Sequence, residues 1–585
     1  MDDYTFEKRK KVINELIHDK YYTPMKGKEI AMLLNVSKEN RNDLYKVLDA
    51  LVLEGKIGVT SKGKYCKNDK NILTGIFQST DRGFGFVTVE GEDEDIFIRE
   101  SDTCNALHQD KVQLVITCEK TEGRRREGRI IRILEHGMNQ IVGIFRKNGA
   151  YGFVIPDNRK FSKDIFIPKD KIRSAVTGHK VVVKINSFGD DTHNPEGEVI
   201  RILGHVNDPG TDILSVVESY EIPYEYPEEV MKEIEKIPDE IDETKLPLRT
   251  DYRMLQTVTI DGEDAKDLDD AISLSKENGI YHLGVHIADV SHYVKEGSII
   301  DKEAAKRATS VYLVDRTISM LPERLCNFIC SLRPDEEKLA YSVIFEMNEK
   351  AEVKNYRIRH TVIKSNRRFT YEEAQQIIET GEGDYKEEVL QLNRLAQILR
   401  EKRMAAGSIN FDRCEVKFEI DETGKPLSVY FKVSKEANKL IEEFMLLANK
   451  TVAEYVGKVP KNKKPKVLPY RIHDLPDPDK LDNLNQFIAR FGYKIRTGGS
   501  KAEVSKSINH LLGEIEGKKE QNLIETVSLR AMQKARYSIY NIGHYGLAFD
   551  YYTHFTSPIR RYPDLMVHRL LTRYLAGGRS AQADK

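Results

Sequence analysis

The chain has 585 residues, 40% of them hydrophobic and 32% charged, which is too long for one core and suits several solvated domains. Its 92 Lys and Arg against 93 Asp and Glu leave a net charge of −1, so a uniformly basic nucleic-acid binder is excluded and the distribution of charge matters more than the sum. There is no run of about eighteen apolar residues, and the opening MDDYTFEKRKKV has no apolar signal segment, which removes support for membrane insertion or secretion and makes the cytoplasm the expected compartment.

Residues 1–68 predict a winged helix. An amphipathic helix carries Val12, Ile13, Leu16 and Ile17, the short GKEIAMLL follows, and Asn35-Val36-Ser37 makes a turn and N-cap. The next helix puts Leu44, Val47, Leu48 and Leu51 on one face, and GKIGVTSKGKY alternates as a small hairpin. Such a module binds nucleic acid or protein, or serves only packing.

An internal repeat comes next. GIFQSTDRGFGFVTVE starts at Gly75 and GIFRKNGAYGFVIPD at Gly143, and the DIFI at Asp95 returns at Asp164. Short alternating strands with Gly-rich turns predict two tandem five-stranded barrels of OB type, over 71–137 and 140–205. Phe84 and Phe86 in the first copy, and Tyr151 and Phe153 in the second, alternate at period two, so one face can offer them to nucleobases. Filling the barrel cores is the other use open to these rings. Basic runs at Lys8–Lys11, Arg124–Arg132 and Lys458–Lys466 are either RNA-tracking or solvated faces.

Residues 206–585 read as one large mixed α/β domain. An acidic, Pro-punctuated entry segment precedes strand-like YHLGVHIADV and LAYSVIFEM. TYEEAQQII opens with a capping box from Thr370 to Glu373, and NKLIEEFMLLANKTVAEYV has helical spacing. The six cysteines, 66, 104, 118, 326, 330 and 414, are too scattered for a disulfide framework and read as structural. Histidines 286, 292, 473, 544, 554 and 568 do not pair at metal-ligand spacing, so core or rim roles are expected. Ser557-Pro558 reads as a turn, with no adjacent base to make Ser557 a nucleophile.

Ten positions, Asp261 to Asp270, hold five aspartates and one glutamate. Each added carboxylate raises the ionisation cost of its neighbours, so such crowding calls for a cation or free solvent. Asp261 ends the β-branched run TVTI, GEDAK makes a turn, and Asp267, Asp269 and Asp270 lead into the next strand; a turn lets these four converge where a straight strand would not. Oxygen donors without nearby His or Cys favour Mg²⁺, with Mn²⁺ as the alternative, over zinc. An EF-hand fails, since its sixth position is Lys266 instead of Gly and its twelfth is Ile272 instead of Glu. A solvated acidic loop without metal is the competing reading.

TVTIDGEDAKDLDDAISL, GVHIADVSHYV, SVYLVDRTISMLPERL and FTSPIRRYPDLMVHRLL closely resemble the catalytic (RNB) domain of the RNase II family, and GFGFV with DIFI resembles the cold-shock domain. The domain order resembles the ribonuclease R branch, from the N-terminus to about residue 575. The expected fold class is then multidomain α+β: a winged helix, two OB-type cold-shock barrels and a large mixed α/β RNB domain. The resemblance implies a processive 3′-to-5′ exoribonuclease acting on single-stranded RNA or RNA with a 3′ overhang, working as a monomer and releasing nucleoside 5′-monophosphates by a Mg-activated water.

Carried over residue by residue, Asp261, Asp267, Asp269 and Asp270 match the metal-holding aspartates, with Asp269 and Asp270 also in the chemical step. Tyr312 and Phe411 match the aromatic clamp on the terminal nucleotides. Glu442, or its neighbour Glu443, matches a glutamate at the substrate end, and Arg560, or Arg561, matches the arginine at the scissile phosphate. Members of that branch continue past the TSPIRRY helix into the rest of the catalytic domain and an S1 barrel, whereas this sequence stops at GGRSAQADK. The resemblance thus implies a catalytic domain incomplete at its C-terminal end, with the S1 domain absent, in a fragment or a shortened protein. The competing function is a non-catalytic RNA-binding regulator or chaperone with an inactive RNB domain.

Overall fold

The computed structural model describes residues 3–580, apart from 54–55, 60–62, 68–71, 93, 119–124, 162, 190–192, 412–414, 423 and 461–463. Of the features read from the sequence, Cys414, Arg124, Lys461, Lys463 and, in the GKIGVTSKGKY hairpin, Gly55, Thr60, Ser61 and Lys62 fall outside the described residues. The chain divides into two units, Met1–Ile222 and Pro223–Lys585.

The first unit opens with helices Asp3–His18, Gly27–Leu33 and Arg41–Leu53, followed by the antiparallel pair β1 (Ile57–Val59) and β2 (Tyr65–Lys67). Ile13, Ile17, Ile30, Val47, Leu48 and Leu51 are buried between them, the stripe that helical spacing requires. Val12 is 50% exposed, because it lies one position off that stripe. Ser37 starts a 3₁₀ turn but makes no side-chain cap bond; its Oγ accepts from Asn40 Nδ2 at 3.1 Å instead, and Asn35, at φ +51°, makes the reversal before it.

Two closed barrels follow. Strands β3 (Ile72–Ser79), β4 (Gly85–Val89), β5 (Ile96–Ile98), β6 (Lys111–Cys118) and β7 (Glu127–Glu135) close in the order β3-β4-β5-β7-β6. Strands β8 (Gln140–Asn148), β9 (Tyr151–Pro156), β10 (Ile165–Ile167), β11 (His179–Ser187) and β12 (Glu196–His205) repeat that topology as β8-β9-β10-β12-β11. Phe77, Val87, Ile96 and Ile98 fill the first core, and Phe145, Val154, Ile165 and Ile167 fill the second. The shared glycines have a steric reason: a Cβ at Gly85 would come within 2.4 Å of the Phe77 ring, and one at Gly152 within 2.4 Å of the Phe145 ring.

The second unit is built on a seven-stranded sheet. Its strands are β13 (Thr250–Tyr252), β14 (Thr257–Asp261), β15 (Asp270–Glu277), β16 (Ile280–Ala288), then, past a two-residue ribbon of β17 (Val311–Tyr312) and β18 (Thr317–Ile318), β19 (Glu337–Met347), β20 (Val353–Lys364) and β21 (Arg367–Thr370). They lie in the order β13-β20-β19-β16-β15-β14-β21. Alternate residues of β16 and β19, among them Leu283, Val285, Ile287, Tyr341, Val343 and Phe345, form a core with the helices Lys386–Ala405 and Glu436–Gly457. The capping box is present: Thr370 Oγ1 accepts from Glu373 N at 3.1 Å, and the Glu373 carboxylate accepts from Thr370 N at 2.8 Å. A further helical cluster, Pro478–Ala489, Lys501–Ile515 and Gln521–Ala531, has its own apolar core. No described helix is long and apolar enough to cross a membrane.

Candidate active site

The acidic stretch links β14 and β15, with β14 covered on its other side by the edge strand β21. β14 pairs with β15 only at Thr257–Ser273 and Val258–Ile272, so the strands part before Asp261 at the end of one and Asp270 at the start of the other. The loop between them is held from both sides. Ser331 Oγ donates to Lys266 O at 2.7 Å and accepts from Leu268 N at 3.1 Å, while Leu332 N donates to Leu268 O at 3.0 Å. Opposite, Arg368 donates to Gly262 O at 3.0 Å and Glu263 O at 2.7 Å, and Ala288 N donates to Asp269 O at 2.8 Å. Buried Leu268 anchors the segment that carries Asp267 and Asp269.

The carboxylates crowd one another. Burial and the Asp269 charge push Asp261 up to about 7, and burial and the Asp261 charge push Asp270 up to about 8. Burial holds Asp269 well above the usual carboxylate range against the opposing pull of Arg560. Asp267 is raised by burial too, and the Tyr312 hydroxyl donates to it at 3.4 Å. One buried oxygen each of Asp261, Asp269 and Asp270 has no hydrogen-bond partner, an arrangement that costs free energy unless something cationic shares the space. Among the described residues no three His, Cys, Asp or Glu side chains stand close enough to form a ready metal cage. The donor set still fits a hard divalent cation, since it is all carboxylate oxygen and its orphaned atoms are those a cation would take.

The TSPIRRY segment closes the site. Ile559 N donates to Asp269 Oδ1 at 2.9 Å, and Arg560 Nε stands 3.7 Å from Asp269 Oδ2. The Arg560 backbone is fixed by Ser310 N and Thr309 Oγ1, both donating to its carbonyl, at 2.9 and 3.0 Å. Its side chain is 41% exposed, within reach of a ligand. Arg561 is committed elsewhere, donating at 2.7 Å to Asp564, whose carboxylate is fully buried and also accepts from Ser557 N at 2.8 Å. Ser557 Oγ accepts from Arg560 at 3.0 Å, as a turn residue and not an activated nucleophile.

Tyr312 is 56% exposed beside Asp267, open to stacking. Phe411 is half-buried against the apolar core of the helical cluster, and no direct contact among the described residues brings it to Tyr312. Glu442 is exposed, 3.7 Å from Arg403, whereas Glu443 is buried and held by the same guanidinium at 3.1 Å. Glu443 is therefore a structural partner and Glu442 the one left facing outward. His286 and His568 are buried, bonded to Ser342 at 2.7 Å and Phe555 O at 2.8 Å, and burial pushes them down to about 3 and about 4. Cys326 and Cys330 are buried free thiols, and Cys66, Cys104 and Cys118 are also unbridged.

Sequence reasoning missed Tyr371. Its phenol is pushed up by burial and by the charges of Asp261 and Asp270, which sets it beside the carboxylates; in the sequence it is one more residue of a capping box. It also missed Ser331, which reaches the loop through contacts across 65 and 63 positions.

In the first unit, Phe84 and Phe86 leave the barrel core and meet Phe97, with ring centroids 5.5 to 6.1 Å apart. Tyr151 and Phe153 meet Phe166 in the same way, at 5.5 to 5.8 Å. Phe97 and Phe166 are the aromatics of the two DIFI motifs, the third member of each triad. Arg125 stands 4.2 Å from the Phe97 ring.

Three family models match the chain: RNB domain at residues 249–577, Cold shock domain at 153–227 and Ribonuclease B OB domain at 75–133. The chain is 40% identical over 585 residues to Ribonuclease R of Thermotoga maritima, covering 97% of this chain and 80% of that one. The fold is similar to Mycoplasma genitalium RNase R in complex with ribose methylated single-stranded RNA, with TM-score 0.79 and 27% identity over 86% of this chain and 79% of that chain. Yeast Ssd1, a pseudonuclease, shares the fold alone, at TM-score 0.66 and 18% identity over 88% of this chain and 70% of its own.

Proposed function

This chain belongs to the RNB-domain family of ribonucleases, and from that premise we propose that it is a processive 3′-to-5′ exoribonuclease hydrolysing RNA to nucleoside 5′-monophosphates in RNA turnover and quality control. Its proposed substrates are single-stranded RNA and RNA with a 3′ overhang, met by a monomer in the cytoplasm. The observation that carries this reading is the junction of Asp269 with Ile559 and Arg560, which sets a cationic side chain beside four crowded carboxylates.

Asp261, Asp267, Asp269 and Asp270 would hold Mg²⁺, or Mn²⁺ in its place, and a bound ion of this kind lowers the pKa of water and shields the charge that builds on phosphate. The remaining work belongs to the chain's own groups. Arg560 offers a planar fork of donors to the non-bridging oxygens, stronger there than a lysine would be. Tyr312 gives the terminal nucleotide a stacking face while its hydroxyl stays on Asp267. Phe411 and Glu442 are proposed to meet the substrate end from the helical side, and the two aromatic triads and the winged-helix segment to engage RNA upstream. Stacking on a ring face is indifferent to base identity, which suits a processive enzyme.

A 3′-labelled oligoribonucleotide incubated with Mg²⁺ and then with EDTA tests the reading. Release of labelled mononucleotide that EDTA abolishes is expected. A stable shifted complex without release would instead favour a non-catalytic RNA-binding protein.

A further inference from the structure

Within the catalytic domain, Tyr470–Ile472 and Arg536–Ser538 pair as a two-stranded antiparallel ribbon. Arg471 and Tyr537 are direct cross-strand partners in it, so their side chains leave on the same face, and the Arg471 guanidinium lies 4.9 Å from the Tyr537 ring centroid. The ribbon is tied to the chain just ahead of Arg560: Arg471 N donates to Tyr552 O at 2.9 Å, and Tyr470 bridges to Thr553. His554 follows, and its Nδ1 is 2.6 Å from the Tyr537 hydroxyl. All three side chains keep surface; Tyr537 is 37% exposed.

The chemistry of this trio is that of an anion site. The Arg471 guanidinium lies over the Tyr537 ring, which restrains it while its donors stay available, and among the described residues no salt bridge pairs it with a carboxylate. Burial and the charges of Arg561 and Arg471 push His554 down to about 2, so the ring is neutral. With the shared hydrogen assigned to Tyr537, Nδ1 accepts and Nε2 carries the ring's own hydrogen, a donor facing no competing acceptor within the trio. Both Tyr537 and His554 lie within the electrostatic reach of Arg560.

We propose that Arg471, Tyr537 and His554 form a phosphate-binding subsite beside Arg560, holding a phosphodiester of the bound strand 5′ of the scissile linkage. The proposal rests on the exoribonuclease reading and adds to it a second anchoring point. Arg471 makes the charge-assisted contact, His554 adds a neutral donor, and Tyr537 orients both. The subsite has a function apart from the carboxylates: it registers the strand so that the terminal linkage, and not the next, meets Arg560.

The test is a walk of neutral linkages. A set of 3′-labelled oligoribonucleotides carries one methylphosphonate each, at successive positions 5′ of the scissile linkage, and kcat/KM is measured for the parent and for Arg471→Met. The parent is expected to lose about tenfold or more at one position, the scale of one charge-assisted contact. Arg471→Met is expected to lose about as much on the all-phosphate strand, mainly through KM, and to show no further loss at that position. Equal penalties in parent and variant at every position, with the unfolding midpoint unchanged, would overturn the subsite. If Arg471→Met does not fold, Tyr537→Phe, which deletes one oxygen, carries the same comparison. A parent that releases no mononucleotide from the unmodified strand would overturn the enzyme reading itself, a result distinct from failure of the subsite alone.

Discussion

Asp269 and Ile559, 290 positions apart, are joined by a 2.9 Å hydrogen bond from the Ile559 amide to Asp269 Oδ1. The other oxygen of the same carboxylate is buried without a hydrogen-bond partner, 3.7 Å from Arg560 Nε. One side chain therefore does two things: Oδ1 fastens the segment that carries the arginine, and Oδ2 keeps its hydrogen-bonding capacity unspent.

That division predicts a clean outcome for Asp269→Asn. The amide oxygen still accepts from Ile559, so the junction survives, while the negative charge is lost. RNA affinity in a gel-shift titration should change little and mononucleotide release should fall by at least about 10²-fold, the scale of removing one electrostatic contact to a transition state. The variant should melt no lower than the parent without divalent ions, because it relieves repulsion. Release at the parental rate would remove Asp269 from the chemistry.

The crowding also sets a pH dependence. In the folded, cation-free protein Asp261 and Asp270 keep their protons up to about 7 and about 8, against a usual value of 3.8. Between these limits the folded state holds more protons than the unfolded one. The contribution is thus fully present below about pH 4 and is lost as pH rises through 7 to 8. Melting curves in EDTA should show the midpoint falling across that window. Mg²⁺ should flatten the fall and release protons on binding, measurable in weak buffer. A midpoint indifferent to Mg²⁺ at pH 8 would count against the carboxylates as a cation site.

The adjacent arginines should separate by phenotype. Arg560→Lys keeps a charge but loses the fork, so kcat should drop by about 10²-fold with the melting point intact. Arg561→Ala strands the fully buried Asp564 carboxylate, a loss of about 3–5 kcal/mol by the usual cost of breaking a buried pair. Circular dichroism melts together with turnover distinguish the two, and the reverse pattern would exchange their roles.

Much of this was legible in the sequence, for identifiable reasons. The β-branched run before Asp261 and the spacing to Asp267, Asp269 and Asp270 announce a turn that gathers carboxylates, and the 68-residue repeat announces paired barrels. Arg560 and Arg561 are side by side, so only the partner of each, Asp269 or Asp564, tells them apart, and that partner is a tertiary fact. Glu442 and Glu443 pose the same problem on one helix, decided by which one Arg403 buries. Ser331 and Tyr371 serve the site only through long-range contacts, and neither residue type carries a signal of its own.

The barrel aromatics give the last prediction. Phe77 fills the first core, while Phe84, Phe86 and Phe97 lie together outside it. The two sets should respond oppositely to truncation. Phe77→Ala removes a fully buried ring and should destabilise the barrel by about 3–5 kcal/mol. Phe97→Ala, and its counterpart Phe166→Ala, should leave the melting point nearly unchanged and weaken RNA binding by about 1–3 kcal/mol for each base stacked. Because a ring face does not discriminate among bases, the loss should be alike on oligo(U) and oligo(A). Fluorescence anisotropy at fixed salt measures it, since changing ionic strength would mix in the charge of Arg125 beside the Phe97 ring. A Phe97→Ala protein that melts early and binds RNA as before would return this ring to the core and take the stacking surface away.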